Sequence, residues 1–412
     1  MKAVAGLSAV LAMALAAPLA LAQEAAPADP VSVLVKQLEL DKYKATIKSL
    51  TQFGDRRQGT QRNRDALDWI EAQLKSYGCT NTERLQYQFT QPAPGAPSAR
   101  RAAGIPSGGA GGPAGQGGST LFGNRIPTGV NADPMRQPNE RLRALNAEQT
   151  PVGTSLRENV YCTKVGKTHP EEMYIVSAHM DGIGFGEAAN DDGSGTALVM
   201  ELARIFSMPG VETDRSIRFI LWNNEETGLN GAAAYVEQRK DLQGIESPKG
   251  SGKYPEPKWL GMIQHDMMMY DHGMPIPKQD ASGKTIYVSP PEQRLEADVN
   301  IEYQAVSKQA EGSARLAWAF RAANDKYATN YPAAVGFHMT NTDSTPFMDL
   351  VPSISLRENE RGQQIGAGWN PNWHQPTDNY DTYSDKDFLL GLNAAQTTLS
   401  GVAQLAGTRI SK

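Results

Sequence analysis

Residues 173–206 read MYIVSAHMDGIGFGEAANDDGSGTALVMELARIF, and this stretch decides the fold. Met173 to Ala178 is a short, uncharged run rich in apolar residues, which reads as a strand buried on both faces. Ser194 to Phe206 reads as the helix that follows. A strand followed by a polar, glycine-containing loop and a helix is the start of a parallel crossover unit. His179, Asp181, Asp191 and Asp192 all fall in the connection, just beyond the strand's carboxyl end.

Working outward, the same alternation recurs. Ser216 to Trp222, Trp259 to Gln264 and Pro352 to Leu356 read as further buried strands. Leu229 to Leu242, Ala314 to Tyr327 and Asp385 to Ala406 read as helices. The pattern predicts an α/β fold with a mixed, largely parallel central sheet flanked by helices. Upstream, residues 31–54 and 62–77 have helical spacing, and Gly78 stops the second segment. Pro92 to Gly118 holds 14 Gly or Pro in 27 residues. Such a composition cannot bury a core and reads as a mobile insertion from about 92 to about 155. A polar excursion from about 270 to 305 reads as a second inserted loop. Apart from these, residues 23–412 are expected to form one domain.

The 412 residues are 40% hydrophobic and 21% charged, enough for a sizeable core. Lys plus Arg number 40 against 45 Asp plus Glu, a net charge of -5, so no basic field for nucleic acid exists. Residues 1–22 pair Lys2 with an apolar run ending Leu19-Ala20-Leu21-Ala22, the form of a secretory signal peptide cut after Ala22. An exported protein, periplasmic or secreted and free of the membrane after cleavage, is the expectation. In an oxidising compartment the two cysteines, Cys79 and Cys162, are expected to form a disulfide. Oligomeric state has no signal.

In open α/β sheets ligands bind beyond the carboxyl ends of the strands. Here those ends carry His179-Met180-Asp181, Asn223-Asn224-Glu225-Glu226 and His265-Asp266, with His374 further on in NPNWHQPTD. Imidazole and carboxylate suit zinc, and two His with three carboxylates can hold two ions if one carboxylate bridges. A further, unligated carboxylate can take a proton from the attacking water. Strand alternation turns His265 away from Asp266, and Met267 to Met269 read as core. No H-E-x-x-H or G-x-S-x-G sequence is present, which removes the commonest zincin and serine-hydrolase readings.

The series H-M-D, A-N-D-D-G-S-G-T-A, N-N-E-E-T-G-L-N-G, H-D, T-D-S-T-P-F and W-H-Q-P-T-D resembles the co-catalytic dizinc exopeptidases of metallopeptidase family 28. The resemblance covers about residues 55 to 405, insertions aside. It implies that His179 and Asp266 hold one zinc, that Glu226 and His374 hold the other, and that Asp191 bridges them. It gives Glu225 the role of general base and has Asp181 fix the imidazole of His179. It also implies a cis Asp191–Asp192 peptide, and it makes the strands near Cys79 and Cys162 neighbours. The activity implied is that of an aminopeptidase acting on peptides through a metal-bound hydroxide. A one-zinc glutaminyl cyclase, a carboxypeptidase and a non-catalytic ectodomain are the alternatives. Two departures stand out: Ser344 occupies a position where the family writes His, and Trp373 precedes His374 where some members place Tyr. Asp343 is expected to contact substrate, and Arg357 and Glu358, after the fourth strand, are expected at the substrate rim.

Overall fold

A central eight-stranded sheet, in the order β1-β2-β5-β3-β6-β11-β9-β10, organises the computed structural model. The structure describes residues 29–79, 81–93, 130–271, 276–288, 299–337, 339, 341–358 and 370–411. The sheet strands are β1 (Glu83–Gln91), β2 (Gly153–Lys164), β3 (His169–His179), β5 (Arg215–Trp222), β6 (Lys258–His265), β9 (Val299–Glu302), β10 (Ala333–Gly336) and β11 (Ser353–Arg357). Two small pairs accompany them: β4 (Val211–Glu212) with β12 (Arg409–Ile410), and β7 (Ile276–Gln279) with β8 (Thr285–Val288). The helices are α1 (Pro30–Val35), α2 (Leu40–Thr51), α3 (Gln61–Ser76), α4 (Glu140–Leu145), α5 (Gly193–Phe206), α6 (Asn230–Arg239), α7 (Ala310–Tyr327) and α8 (Asp385–Leu405).

β3 lies at the centre with β5 and β6 parallel on either side, and β11 runs parallel to β6. The antiparallel pairs are β1 with β2, β2 with β5, and β9 with β11. Alternation along β3 divides the core as the pleat demands. Val176 and Ala178 join the apolar cluster shared with α1, α2, α5, α7 and α8. Met173 and Ile175 join the opposite cluster, where Trp222, Tyr235, Trp259 and Phe347 pack together. α5 is buried along almost its whole length, which explains why its sequence lacks a polar stripe. Its N-cap, Asp192, accepts the Gly195 N–H, a contact typically worth about 1 kcal/mol. The same carboxylate accepts the N–H groups of His179 and Met267, so one side chain ties the ends of β3 and β6 to the start of α5.

The four strands and four helices read around residue 173 are present, with ends shifted by a few residues. Elsewhere three readings need correction. Residues 31–54 form two helices, because the chain turns after α1 through tight bonds from Gln37 and Leu38 to Leu34 and Val35, and Glu39 is extended. The excursion after β6 is more than a loop: it contains the β7–β8 hairpin and then β9, whose four residues are all buried in the main sheet. From residue 130 onward the expected insertion is built into the fold, with a 3-10 turn at Pro134–Arg136, then α4, then β2 starting at Gly153. Its Gly/Pro-rich part, 94–129, and the expected signal peptide at 1–22 lie outside the described residues. Cys79 and Cys162 form the expected disulfide, with Cα atoms 6.0 Å apart. Among the described residues no helix is long and apolar enough to cross a membrane.

Candidate metal centre

Parallel pairing puts the ends of β3, β5 and β6 at one edge of the sheet, and the chain turns sharply after β5 and β6. Asn224 and Met267 adopt left-handed backbone with φ of 67° and 58°, as does His374 with φ 57° on its own loop. Such conformations cost free energy in non-glycine residues and persist where surrounding contacts over-determine them.

These turns gather His179, Asp191, Glu226, Asp266 and His374 into two adjoining groups that share Asp191. One oxygen of Asp191 lies 3.3 Å from His179 Nε2 and the other 3.0 Å from His374 Nε2. Asp266 Oδ1 is 3.9 Å from His179 Nε2, and Glu226 Oε2 is 3.0 Å from His374 Nε2. Ligands about 2.0–2.1 Å from a tetrahedral zinc stand about 3.3 Å apart, so separations of this size suit one such ion in each group. The Asp191–Asp192 peptide is cis.

The charge balance points the same way. Carboxylates of Asp181, Asp191, Asp192, Glu225, Glu226, Asp266 and Asp343 crowd the site with little or no solvent contact. Arg357 offers one compensating contact, donating from Nη2 to Asp266 Oδ2 at 2.7 Å. Burial pushes Glu225 and Asp343 well above the usual carboxylate range, and neighbouring carboxylates add to the effect. Burial raises Glu226 to about 7 despite His374 beside it. Burial alone would depress His374, yet Glu226 and Asp191 push it up to about 10. Asp191 stays low in spite of burial because both imidazoles hydrogen-bond to it. Buried carboxylates at this density call for cations, and Glu226 Oε1 is buried with no hydrogen-bond partner. The donor set therefore fits two divalent ions.

Around these groups the structure refines several expectations. His179 Nδ1 meets the main-chain carbonyl of Asp181 at 2.9 Å, whereas the Asp181 carboxylate is 3.9 Å away. That carboxylate instead accepts the N–H of Glu225 at 3.0 Å, linking the end of β3 to the turn after β5. His265 turns away from Asp266, with Nδ1 at 3.0 Å from the Ser177 carbonyl and Nε2 at 2.8 Å from Thr398 Oγ1. Burial lowers its pKa to about 4. Met267, Met268 and Met269 are buried.

The rim positions are corrected: Arg357 and Glu358 are 0% and 1% exposed. Packing on both sides of the strand end encloses the two side chains. Arg357 holds Asp266, while Glu358 accepts from Asn190, Asn370, Met269 and Tyr270. Asp343 is fully buried beside Gln264, and Ser344 donates to Met339 Sδ at 3.0 Å. The Trp373 ring lies 4.1 Å from that of His374.

Two contributors escaped the sequence reading. Asp378 accepts the N–H groups of Asn190 and Asp191 and the Tyr383 hydroxyl, joining the Asp191 turn to the His374 loop. Its signal was present, as the last residue of W-H-Q-P-T-D. Arg56 is fully buried and donates to the carbonyls of Met180, Glu187 and Ala188, and no local pattern announces it.

Comparison with known proteins gives a match to the profile of peptidase family M28 over residues 159–392. Aminopeptidase YwaD of Bacillus subtilis is 45% identical over 75 residues, 18% of this chain and 16% of that protein. The probable lipoprotein aminopeptidase LpqL of Mycobacterium tuberculosis is 28% identical over 251 residues, 60% of this chain and 44% of that protein. The chain thus spans less than half the length of these curated relatives. Among solved structures, an aminopeptidase from Aneurinibacillus sp. strain AM-1 superposes with a TM-score of 0.56 at 21% identity, covering 93% of this chain and 97% of that one.

Proposed function

The chain belongs to peptidase family M28, and from that premise we propose that it is an exported, two-zinc aminopeptidase acting on peptides with a free amino terminus. The observation that carries this reading is Asp191, whose two oxygens face two different histidines in two adjoining ligand groups. His179 and Asp266 would hold one ion, Glu226 and His374 the other, and Asp191 both. Bound there, the ions would acidify a water and polarise the scissile carbonyl.

The remaining work falls to the chain. Glu225 is the general base: its carboxyl is buried among like charges, which raises its proton affinity, and Asp181 pins its backbone. The Asp181 carbonyl holds the proton on His179 Nδ1 and leaves Nε2 as the ligand atom. Arg357 fixes Asp266 through its outer oxygen. The disulfide and the leader at residues 1–22 support export.

Both ligand groups are complete, which favours a dinuclear hydrolase over a one-zinc glutaminyl cyclase or a metal-free ectodomain. The test is a zinc count on the purified protein together with release assays on free, amino-acetylated and carboxyl-amidated dipeptides. Two zincs per chain and loss of cleavage on acetylation are expected. Equal cleavage of acetylated substrate refutes the aminopeptidase assignment. Sensitivity to amidation makes the protein a carboxypeptidase, and one zinc with cyclisation of amino-terminal glutamine makes it a cyclase.

A further inference from the structure

Between the Gly/Pro-rich stretch and β2, residues 130–150 are mostly exposed, with Met135 at 72%. Three amide side chains in this segment behave differently: Asn131, Gln137 and Asn146 are 4%, 1% and 0% exposed. Each donates to one of three consecutive carbonyls. Asn131 Nδ2 reaches Gly184 at 3.1 Å, Gln137 Nε2 reaches Phe185 at 2.9 Å, and Asn146 Nδ2 reaches Gly186 at 2.8 Å. The same segment also grips the loop of His374. The Asn131 N–H donates to the His374 carbonyl at 3.0 Å, and Gln137 Nε2 to that of Pro376 at 2.8 Å.

The two gripped loops touch directly. Gly184, at φ +96°, lies so close that a Cβ there would fall 2.5 Å from the His374 carbonyl group. A Cβ on Gly186 would fall 2.9 Å from the carbonyl oxygens of Gln375 and Asp378. One of these loops runs on into Asp191 and the other carries His374. Left-handed backbone at His374 needs outside support, and hydrogen bonds to its own carbonyl and to that of Pro376 supply it.

We infer that residues 130–150 are a strap that positions His374 against Asp191, with Gln137 as the positioning residue at its centre. This rests on the dizinc reading for its consequence, namely that the strap sets the affinity of the ion between Asp191, Glu226 and His374. It contributes no ligand atom. Gln137 instead uses both amide hydrogens on carbonyls of the two loops, while its Oε1 accepts the Asn139 N–H at 3.1 Å and closes a local turn. Removing the donors frees one loop to move relative to the other, and supporting contacts around metal ligands typically change affinity about 10- to 100-fold.

The experiment compares the wild type with Gln137→Met, which removes both donors, and with Gln137→Glu. The glutamate variant keeps the acceptor to Asn139 and sets a carboxylate oxygen against the carbonyl oxygens of Phe185 and Pro376. Met135→Ala, on the exposed side of the segment, is the control. Zinc titration of each metal-free protein should show one site about 10- to 100-fold weaker in the Gln137 variants, with the other site and the Met135→Ala control unchanged. Hydrogen exchange on the metal-free proteins should show faster exchange in 182–190 and 370–378, with β3 and β5 still protected. Wild-type zinc affinity at both sites, or unchanged exchange in the two loops of a folded variant, overturns the inference. If the wild type itself takes up fewer than two zincs, the dinuclear reading fails, and the exchange measurement still decides the strap.

Discussion

Glu225 and Glu226 are neighbours of the same type with opposite assignments, so exchanging each for glutamine tests the site at its most specific point. Glu225 is anchored through its backbone N–H to Asp181, a contact that the substitution leaves in place. The new amide keeps the size and shape of the carboxyl it replaces, so the fold should tolerate it. What is lost is proton transfer, typically worth about 100- to 10,000-fold in rate, or about 2.7 to 5.4 kcal/mol of barrier. Glu226 differs, because its Oε2 lies 3.0 Å from His374 Nε2 and its Oε1 has no hydrogen-bond partner. Glu226→Gln puts a neutral amide in place of the carboxylate in the Asp191–Glu226–His374 group. It should lose one zinc of two on dialysis, with activity falling as a consequence. The assay is zinc content beside kcat on a free-amine dipeptide for both variants. Near wild-type kcat in Glu225→Gln with both metals bound refutes the assignment. So does the opposite pattern of metal loss.

Chelation should abolish hydrolysis and added zinc should restore it; full activity in protein shown to be metal-free contradicts the mechanism. The Cys79–Cys162 bridge closes a span of 83 residues, worth about 4.5 kcal/mol in the chain-entropy model. The double alanine variant should unfold at much lower urea, and a loss below about 1 kcal/mol would count against that role. For His265, the folded pKa of about 4 lies below the unfolded value of about 6.5. Its neutral form is therefore favoured by folding, and this contribution is complete above pH 6.5 and lost as pH falls through 4. The linkage amounts to about 3 kcal/mol. The stability gap between the wild type and His265→Gln should narrow by about that much from pH 7 to pH 4 in urea titrations, and a constant gap would show that the imidazole is not held neutral.

What the sequence revealed follows from which signals survive in one dimension. The strands around Met173 were legible because burial on both faces leaves a predominantly apolar run. β9 was not, since Asn300 and Glu302 are buried in it and buried polar residues look like loop residues. The amides of Asn131, Gln137 and Asn146 were misread for the same reason, compounded by the composition of the stretch before them. The residues of the candidate ligand groups were visible as residue types, most of them at strand ends. The share of work between the main chain and side chain of Asp181 was not, because a carbonyl contact leaves no trace in residue identity. Arg357 and Glu358 were placed at a rim by their position after a strand, but packing on both sides of the strand end encloses them.

The five residues of the candidate centre are spread from 179 to 374 along the chain, on separate turns that meet only when the sheet is complete. A pair of ions that needs all of them has almost nothing to bind in a partly folded chain. Metal uptake would then act as the final latch of assembly, discriminating finished molecules from unfinished ones. An ion present at 100 times its dissociation constant adds about 2.7 kcal/mol to the finished state alone. For a chain that meets its metal only after export, stability would continue to rise after the polypeptide has left the compartment where it was made.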